Sequence, residues 1–379
     1  MVRFIHTADW QLGAKLAFLG NRAEDARKAR LETARRIMEL ARRLKVRFVV
    51  ITGDLFEDHS VGSSIVRDAI SILEDSDLLV FVLPGNHDPL LPGGIWDRPD
   101  WKNRPHNIYF LEKKEVVPVS PENDVLLYPC PLAQKTSSMD PTAWIPVRNQ
   151  ETKESIRIGV AHGSLDILGR QVNFPVSPDR AAMSDLDYLA LGDWHSYFSY
   201  DERTFYSGTP EPAGFEEKDA GQVLEVEIPG PGETPRVTPH YVAALRWEQH
   251  EFNIATRGDL DSILRQAEAL PAPGRTLWRL DLKGVTDFET YSALRELEDQ
   301  LARLLYFIDL RSDLRPAASP TELERLLPAG PVAEAALDLL DLSEGRIRND
   351  IARKYADIDP LVARRALELL YGLVKEGSR

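Results

Sequence analysis

Short apolar runs alternate with helical patterns through the first half of the chain, and each run ends in a polar loop. Phe4-Ile5 begins a strand that ends at Asp9. From Asn21 to Lys45 the residues Leu31, Ala34, Met38, Ala41 and Leu44 share one helical face. Phe48-Val49-Val50-Ile51 reads as a second buried strand, residues 64–75 as a helix, and Leu78 to Leu83 as a third strand. Further strands are expected at 125–129, 156–161 and 187–191, and a hairpin at Val223–Ile228 and Arg236–Val242 around Pro229-Gly230-Pro231-Gly232. The pattern predicts an α/β sandwich whose strands carry polar loops at their C-terminal ends, where sites in such folds gather.

The pattern changes near Trp247. Residues 251–254, 277–282 and 306–311 are strand-like, and 260–270 and 288–305 are helical, an order expected of a small second α/β domain. After Leu314-Arg315-Pro316 the chain reads as helical, with starts signalled at Ser319-Pro320 and Asp359-Pro360. The expected division is a first domain over 1–245, a small α/β capping domain over 246–316 and a helical tail over 317–379.

Composition narrows the class. With 379 residues, 43% hydrophobic and 28% charged, the chain is long and apolar enough for sizeable cores and is neither disordered nor fibrous. Lys+Arg 46 against Asp+Glu 60 gives −14, which excludes a basic coat over the whole surface but allows a local basic track. Residues 22–47 supply a candidate, with ten Lys/Arg and four Asp/Glu; a solvated helix face explains them equally well. The single cysteine, Cys130, excludes an intrachain disulfide and a cysteine-based metal cluster. No apolar run approaches the length needed to span a bilayer, and the first residues carry no export signal, so a cytoplasmic protein with no membrane partner is expected.

The chemistry lies in the loops. Asp9-Trp10-Gln11, Gly53-Asp54, Gly85-Asn86-His87-Asp88, His162-Gly163 and Gly192-Asp193-Trp194-His195 each follow a buried strand. Carboxylate, amide and imidazole donors in this mixture suit a pair of divalent cations. Two such ions clamp a phosphate and supply a nucleophile at neutral pH. His6 lies inside the first strand and reads as a packing residue, while His59, His106, His240 and His250 stand outside any motif. Leu90 to Pro105 is a long Pro-, Gly- and Trp-rich loop. Its Trp96 and Trp101, interleaved with Arg98, Lys102 and Arg104, suit either stacking on unpaired bases or packing onto the sheet.

This set of motifs resembles the calcineurin-like metallophosphoesterases. FIHTADWQLG, LALGDWH and YSGTPEP are similar, more narrowly, to the SbcD-type DNA repair nucleases, over roughly residues 1–245. The resemblance implies a β-sandwich flanked by helices, with Asp54 bridging two metals. Asp9 and His195, with Gln11 beside them, would complete one metal site; Asn86, His162 and Asp193 would complete the other. His87 would assist at the transition state or protonate the leaving oxygen, and Asp88 would orient it. Gln11 and Asp193 both stand where related nucleases usually carry histidine. The more oxygen-rich set shifts the expected ions toward Mn²⁺, or Mg²⁺, and away from Zn²⁺.

The implied function is a two-metal DNA phosphodiesterase, the nuclease subunit of an SbcCD-like complex acting on DNA ends. Its partners would be DNA, a second copy of the chain, and an SMC-like coiled-coil ATPase docked through the C-terminal helices, in a nucleoid-associated cytoplasmic setting. Leu337, Leu340, Ile347, Ile351, Leu367, Leu370 and Leu373 carry the apolar surface that such docking would use. Two other readings stay open: a phosphoesterase acting on a small phosphodiester or phosphomonoester, and a catalytically silent DNA-end-binding scaffold.

Overall fold

The computed structural model describes residues 1–167, 172–316, 327 and 330–377. The chain divides into two compact units, Met1–Trp247 and Glu248–Arg379.

The first unit is a sandwich of two six-stranded sheets. Its strands in chain order are β1 (Val2–Thr7), β2 (Phe48–Thr52), β3 (Leu79–Leu83), β4 (Ile108–Phe110), β5 (Val117–Pro118) and β6 (Val125–Cys130). They continue with β7 (Ile156–His162), β8 (Tyr188–Gly192), β9 (Phe198–Ser199), β10 (Thr204–Tyr206), β11 (Gln222–Ile228) and β12 (Arg236–Tyr241). One sheet has the order β12-β11-β1-β2-β3-β4 and the other β5-β6-β7-β8-β10-β9. Strands β1 to β4 pair in parallel with one another, as do β6, β7, β8 and β10, so each sheet gathers several C-terminal strand ends on one side.

Alternation decides which residues fill which layer. Phe4, Phe48, Val50, Phe81 and Leu83 point between the sheets and meet Leu127, Ile158, Val160, Tyr188, Ala190 and Phe205. Ile5, Val49, Ile51, Val80 and Val82 point the other way, onto Ala34, Ile37, Met38, Val66, Ala69 and Leu73 of the two long flanking helices. Sheets covered on both faces need apolar side chains at every position, which is why the strand sequences read as unbroken apolar runs. The flanking helices are α1 (Ala23–Leu44) and α2 (Ser63–Glu74). Helix α1 begins with Glu24 and Asp25 and ends with Arg42 and Arg43, each charge complementing the helix dipole.

The basic stretch over residues 22–47 is committed only in part within the fold, and Arg22, Lys28, Arg35, Arg42, Arg43 and Lys45 stay exposed. Arg30 is buried, Arg36 binds Glu32 and the Ala243 carbonyl, Lys28 pairs with Glu24, and Arg47 pairs with Asp124. The tryptophan loop is also part of the core. Trp96 and Trp101 are buried and pack with Phe56 and Phe110, so of the two readings of that loop the structure takes packing.

The second unit is built on a three-stranded sheet in which Thr276–Thr286 lies between Arg246–Asn253, a strand that begins at the unit boundary, and Phe307–Pro316, and Thr276–Thr286 and Phe307–Pro316 are parallel. Helices Arg257–Glu268 and Leu294–Leu304 bury Leu260, Ile263, Leu297 and Leu301 in its core. Helices Pro331–Ser343 and Pro360–Gly377 follow, and here an expectation needs correction: Leu340 and Leu367, expected on a docking surface, are buried in a cluster with Phe288 of the same unit, with Leu337 and Leu370 packed against it. The helix start at Ser319-Pro320 lies outside the described residues.

His6 is a buried stitch between the sheets. Its Nδ1 lies 3.0 Å from the Tyr188 hydroxyl, and its Nε2 lies 3.2 Å from both the Thr52 hydroxyl and the Leu191 carbonyl. Burial pushes its pKa down to about 3, so it is neutral in the fold at pH values where the unfolded chain would protonate it. Its contribution to stability is complete above about 6.5, the unfolded value, and is lost as pH falls from there toward 3. Replacing His6 with Gln should flatten the acid side of the stability profile. Urea unfolding should show the wild type losing about 2 kcal/mol more than the variant between pH 7 and pH 5.

Candidate metal centre

The loops after β1, β2, β3 and β8 and the last residue of β7 bring Asp9, Asp54, Asn86, Asp193 and His162 to one place. The two sheets are joined there by a hydrogen bond from His162 Nδ1 to the Thr52 carbonyl, at 2.8 Å. That bond fixes the ring and turns Nε2 into the site. Around Nε2 stand Asn86 Oδ1 at 3.1 Å, Asp54 Oδ2 at 3.4 Å and Asp193 Oδ1 at 3.8 Å. Donors sharing one cation through bonds near 2.1 Å lie about 3–4 Å apart, and the three distances from Nε2 fall in that range. Asp9, Asp54 and His162 each offer a ligand atom within 4.8 Å of the others. Asp9 is buried and accepts the Asp193 N–H at 3.2 Å.

Backbone geometry shows what holding these groups requires. Asp9 (φ 53), Gln11 (φ 42), Asp54 (φ 53) and Asp193 (φ 99) all sit at positive φ. Asp and Asn tolerate this region better than most residues, yet each such position costs about 1–3 kcal/mol. Two glycines make room for the ligands. A Cβ on Gly53 (φ 100) would lie 2.2 Å from His162 Nδ1, and one on Gly85 would lie 2.1 Å from Asp54 Oδ1.

His195 stands on the other side of the centre, half-buried, with Nε2 3.2 Å from the Gln11 amide nitrogen. The nitrogen end of Gln11 faces the ring, so a rotation of the amide is needed to present its oxygen to a cation. His195 Nδ1 donates to Glu217 Oε1 at 2.7 Å, and Glu217 Oε2 accepts the Ala213 N–H. A carboxylate on the far nitrogen of a ligating imidazole fixes its tautomer and raises its basicity. Nothing in the motifs points to Glu217, which lies in a loop 22 residues after its partner. Ser164, whose hydroxyl donates to Asp193 Oδ2, is a second positioning residue outside them.

His87 sits at the rim. Its backbone N–H donates to Asp54 Oδ1 at 2.9 Å, and its Nδ1 is 3.0 Å from the Glu57 carbonyl, while Nε2 makes no hydrogen bond among the described residues. The expectation that Asp88 orients this ring needs correction. The Asp88 oxygens accept the N–H groups of Phe56 (2.9 Å) and Gly85 (2.7 Å), which clamps the Asp54 and Asn86 loops together. A backbone carbonyl, not a carboxylate, orients His87.

The electrostatics of the donor set favour positive charge. Burial pushes the Asp9 carboxyl up to about 6, with Asp54 and Asp193 adding to the rise and His162 and His195 opposing it. Burial also works against protonation of His162, but Asp54, Asp9 and Asp193 outweigh it and hold the ring well above its ordinary value. Burial opposes the proton on His195 as well, yet Glu217, Asp9 and Asp54 lift that ring to about 9. Histidines gripping protons beside buried carboxylates mark a place where a divalent cation fits. Bound there, such ions would polarise the oxygens of a phosphate and make water a better nucleophile at neutral pH. The chain's own part is to hold those donors, place His87 at the rim and keep the strained loops rigid.

Fold and centre together define a metal-dependent hydrolase built on a two-sheet sandwich. Residues 2–204, more than half of the chain, match the family described as calcineurin-like phosphoesterase, and the chain belongs to that family. It is 23% identical over 389 aligned positions to a protein of Bacillus subtilis (strain 168) named "Uncharacterized metallophosphoesterase YhaO", covering 93% of this chain and 92% of that one. Among solved structures it is similar to TT1561 of Thermus thermophilus, with 11% identity, a TM-score of 0.40, and coverage of 64% of this chain and 99% of that one.

Two outcomes are expected. Glu217→Gln should weaken Mn²⁺ binding by roughly 10- to 100-fold in calorimetric titration, with the metal-free melting temperature little changed. Because a cation at His195 Nε2 must displace its proton, affinity should rise with pH up to about 9. Titrations in buffers of different ionisation enthalpy should then reveal protons released on binding at neutral pH.

Proposed function

We propose that this phosphoesterase is a two-metal DNA phosphodiesterase, using Mn²⁺ or Mg²⁺, and works as the nuclease subunit of an SbcCD-like complex. The observation that carries this reading is the second unit borne by the same chain as a phosphoester centre. The helix Pro360–Gly377 leaves Leu361, Val362, Leu369 and Leu373 exposed, and Ile347, Ile351 and Tyr355 before it are exposed too. A phosphatase of small esters has no use for such a surface, whereas an amphipathic helix laid on a partner's coiled coil buries these residues. On this reading the partner is an SMC-like ATPase, the enzyme works as a homodimer, and it is nucleoid-associated in the cytoplasm. Asp9, Asp54, Asn86, His162, Asp193 and His195 hold the ions, with Gln11 beside them, and His87 Nε2 assists the departing oxygen of the in-line displacement.

Hydrolysis of linear and plasmid DNA with Mn²⁺ tests this. The wild type should degrade DNA. Asp54→Ala should abolish activity, and His87→Ala should lower kcat by about 10²- to 10⁴-fold while leaving Mn²⁺ affinity intact. Intact DNA beside brisk turnover of a chromogenic phosphodiester would establish the small-ester reading instead. Silence on both substrates would leave a DNA-end-binding scaffold.

A further inference from the structure

Between the two site residues Asp193 and His195 stands Trp194, 58% exposed. Of the seven tryptophans in the chain it alone is exposed, since Trp10, Trp96, Trp101 and Trp278 are buried and Trp144 and Trp247 are partly so. Its indole makes no hydrogen bond or ring contact among the described residues. An indole left in water at this place is not a matter of loose packing, because its neighbours are pinned on both sides. The Asp193 N–H is held by Asp9, and the Asp193 carboxylate by Ser164 and Asn86. The His195 ring is held by Glu217, and its carbonyl accepts the Thr209 N–H at 2.9 Å. With both flanking side chains held by site residues, the indole is left exposed on the loop that carries them.

What can an aromatic face do there? The groups converging on the centre are carboxylates, amides and imidazoles suited to cations, so once cations have fixed a phosphate the remaining need is for something that grips the rest of the substrate without charge. A nucleobase hangs a sugar's width from its phosphate and presents a π-face whatever its identity. Stacking of an unpaired base on an aromatic side chain is sequence-tolerant and strong enough to place a strand. We propose that Trp194 is a substrate-binding residue that stacks on the unpaired base next to the scissile phosphate, so that the enzyme prefers single-stranded or frayed strands. This inference rests on the nuclease reading and specifies which form of DNA the centre accepts.

The test compares wild type, Trp194→Ala and Trp194→Phe on two single-stranded oligonucleotides with Mn²⁺, one fully base-bearing and one carrying abasic residues around the cleavage position. Mn²⁺ affinity is measured for each protein. Trp194→Ala should lower kcat/KM on the base-bearing strand by roughly tenfold to a hundredfold. Trp194→Phe should retain most of the activity, and the abasic strand should be cut equally slowly by wild type and Trp194→Ala. Unchanged Mn²⁺ affinity would show that Asp193 and His195 have kept their places. Equal losses on both strands, a parallel loss of Mn²⁺ affinity, or no loss at all would each overturn the stacking role. A wild type that turns over a chromogenic phosphodiester but cuts neither strand would overturn the nuclease reading itself, and this inference with it.

Discussion

Three carboxylates, Asp9, Asp54 and Asp193, crowd against one imidazole where the two sheets meet, and Asp9 and Asp54 are almost wholly out of water. Unit charges about 4 Å apart at an effective dielectric of about 20 interact by roughly 4 kcal/mol, so such a group cannot stand as bare anions. It must take up protons or cations. The lift of His162 and His195, and of Asp9 to about 6, is the proton answer, and divalent metal is the answer that also does chemistry. The rest of the catalytic unit holds this unfavourable cluster in register.

That demand explains features that are otherwise costly. Four residues of the centre sit at positive φ, and glycines at 53 and 85 are pressed against ligand atoms. The Asp88 carboxylate serves as a clamp, accepting two N–H groups from separate loops. Such strain persists only where surrounding structure over-determines it. Here the determinant is a sandwich buried on both faces, with His162 to Thr52 and His6 to Tyr188 and Leu191 tying one sheet to the other beside the site. The metal centre therefore sits where the two buried sheets are bonded to each other.

Much of this is legible in the chain, for identifiable physical reasons. Strands covered on both faces must be apolar throughout, so Phe48–Ile51 and Leu78–Leu83 stand out, and the short polar motifs after them announce their chemistry by composition. Glu217 is not legible. Its role comes from a contact across a loop, with neither periodicity nor neighbouring ligands to mark it. Trp96 and Trp101 show the opposite difficulty: an aromatic and basic mixture has the same composition whether it faces a base or a core, and only the ring contacts with Phe56 and Phe110 decide. Asp88 lies in the motif that carries His87 yet turns to other partners, because adjacency in sequence says nothing about where a side chain points.

The distribution of charge bears on how such an enzyme could hold DNA. The one basic stretch of the first unit, residues 22–47, has Arg30 buried, with Arg30 and Arg36 bound to backbone carbonyls and Arg36 and Arg47 paired with acids. What is left exposed, including Arg35, Arg42, Arg43 and Lys45, is a modest field against a net −14. Non-specific DNA affinity grows with the number of phosphates neutralised by Lys and Arg. A chain with a net charge of −14 gains less from that source than a basic one would. Under the nuclease reading, its grip would come from places where energy is concentrated: cations on the scissile phosphate, an aromatic face on a neighbouring base, and partner subunits that add contacts of their own. Binding of that kind would depend less on salt and more on bound metal and assembly than binding to a basic groove.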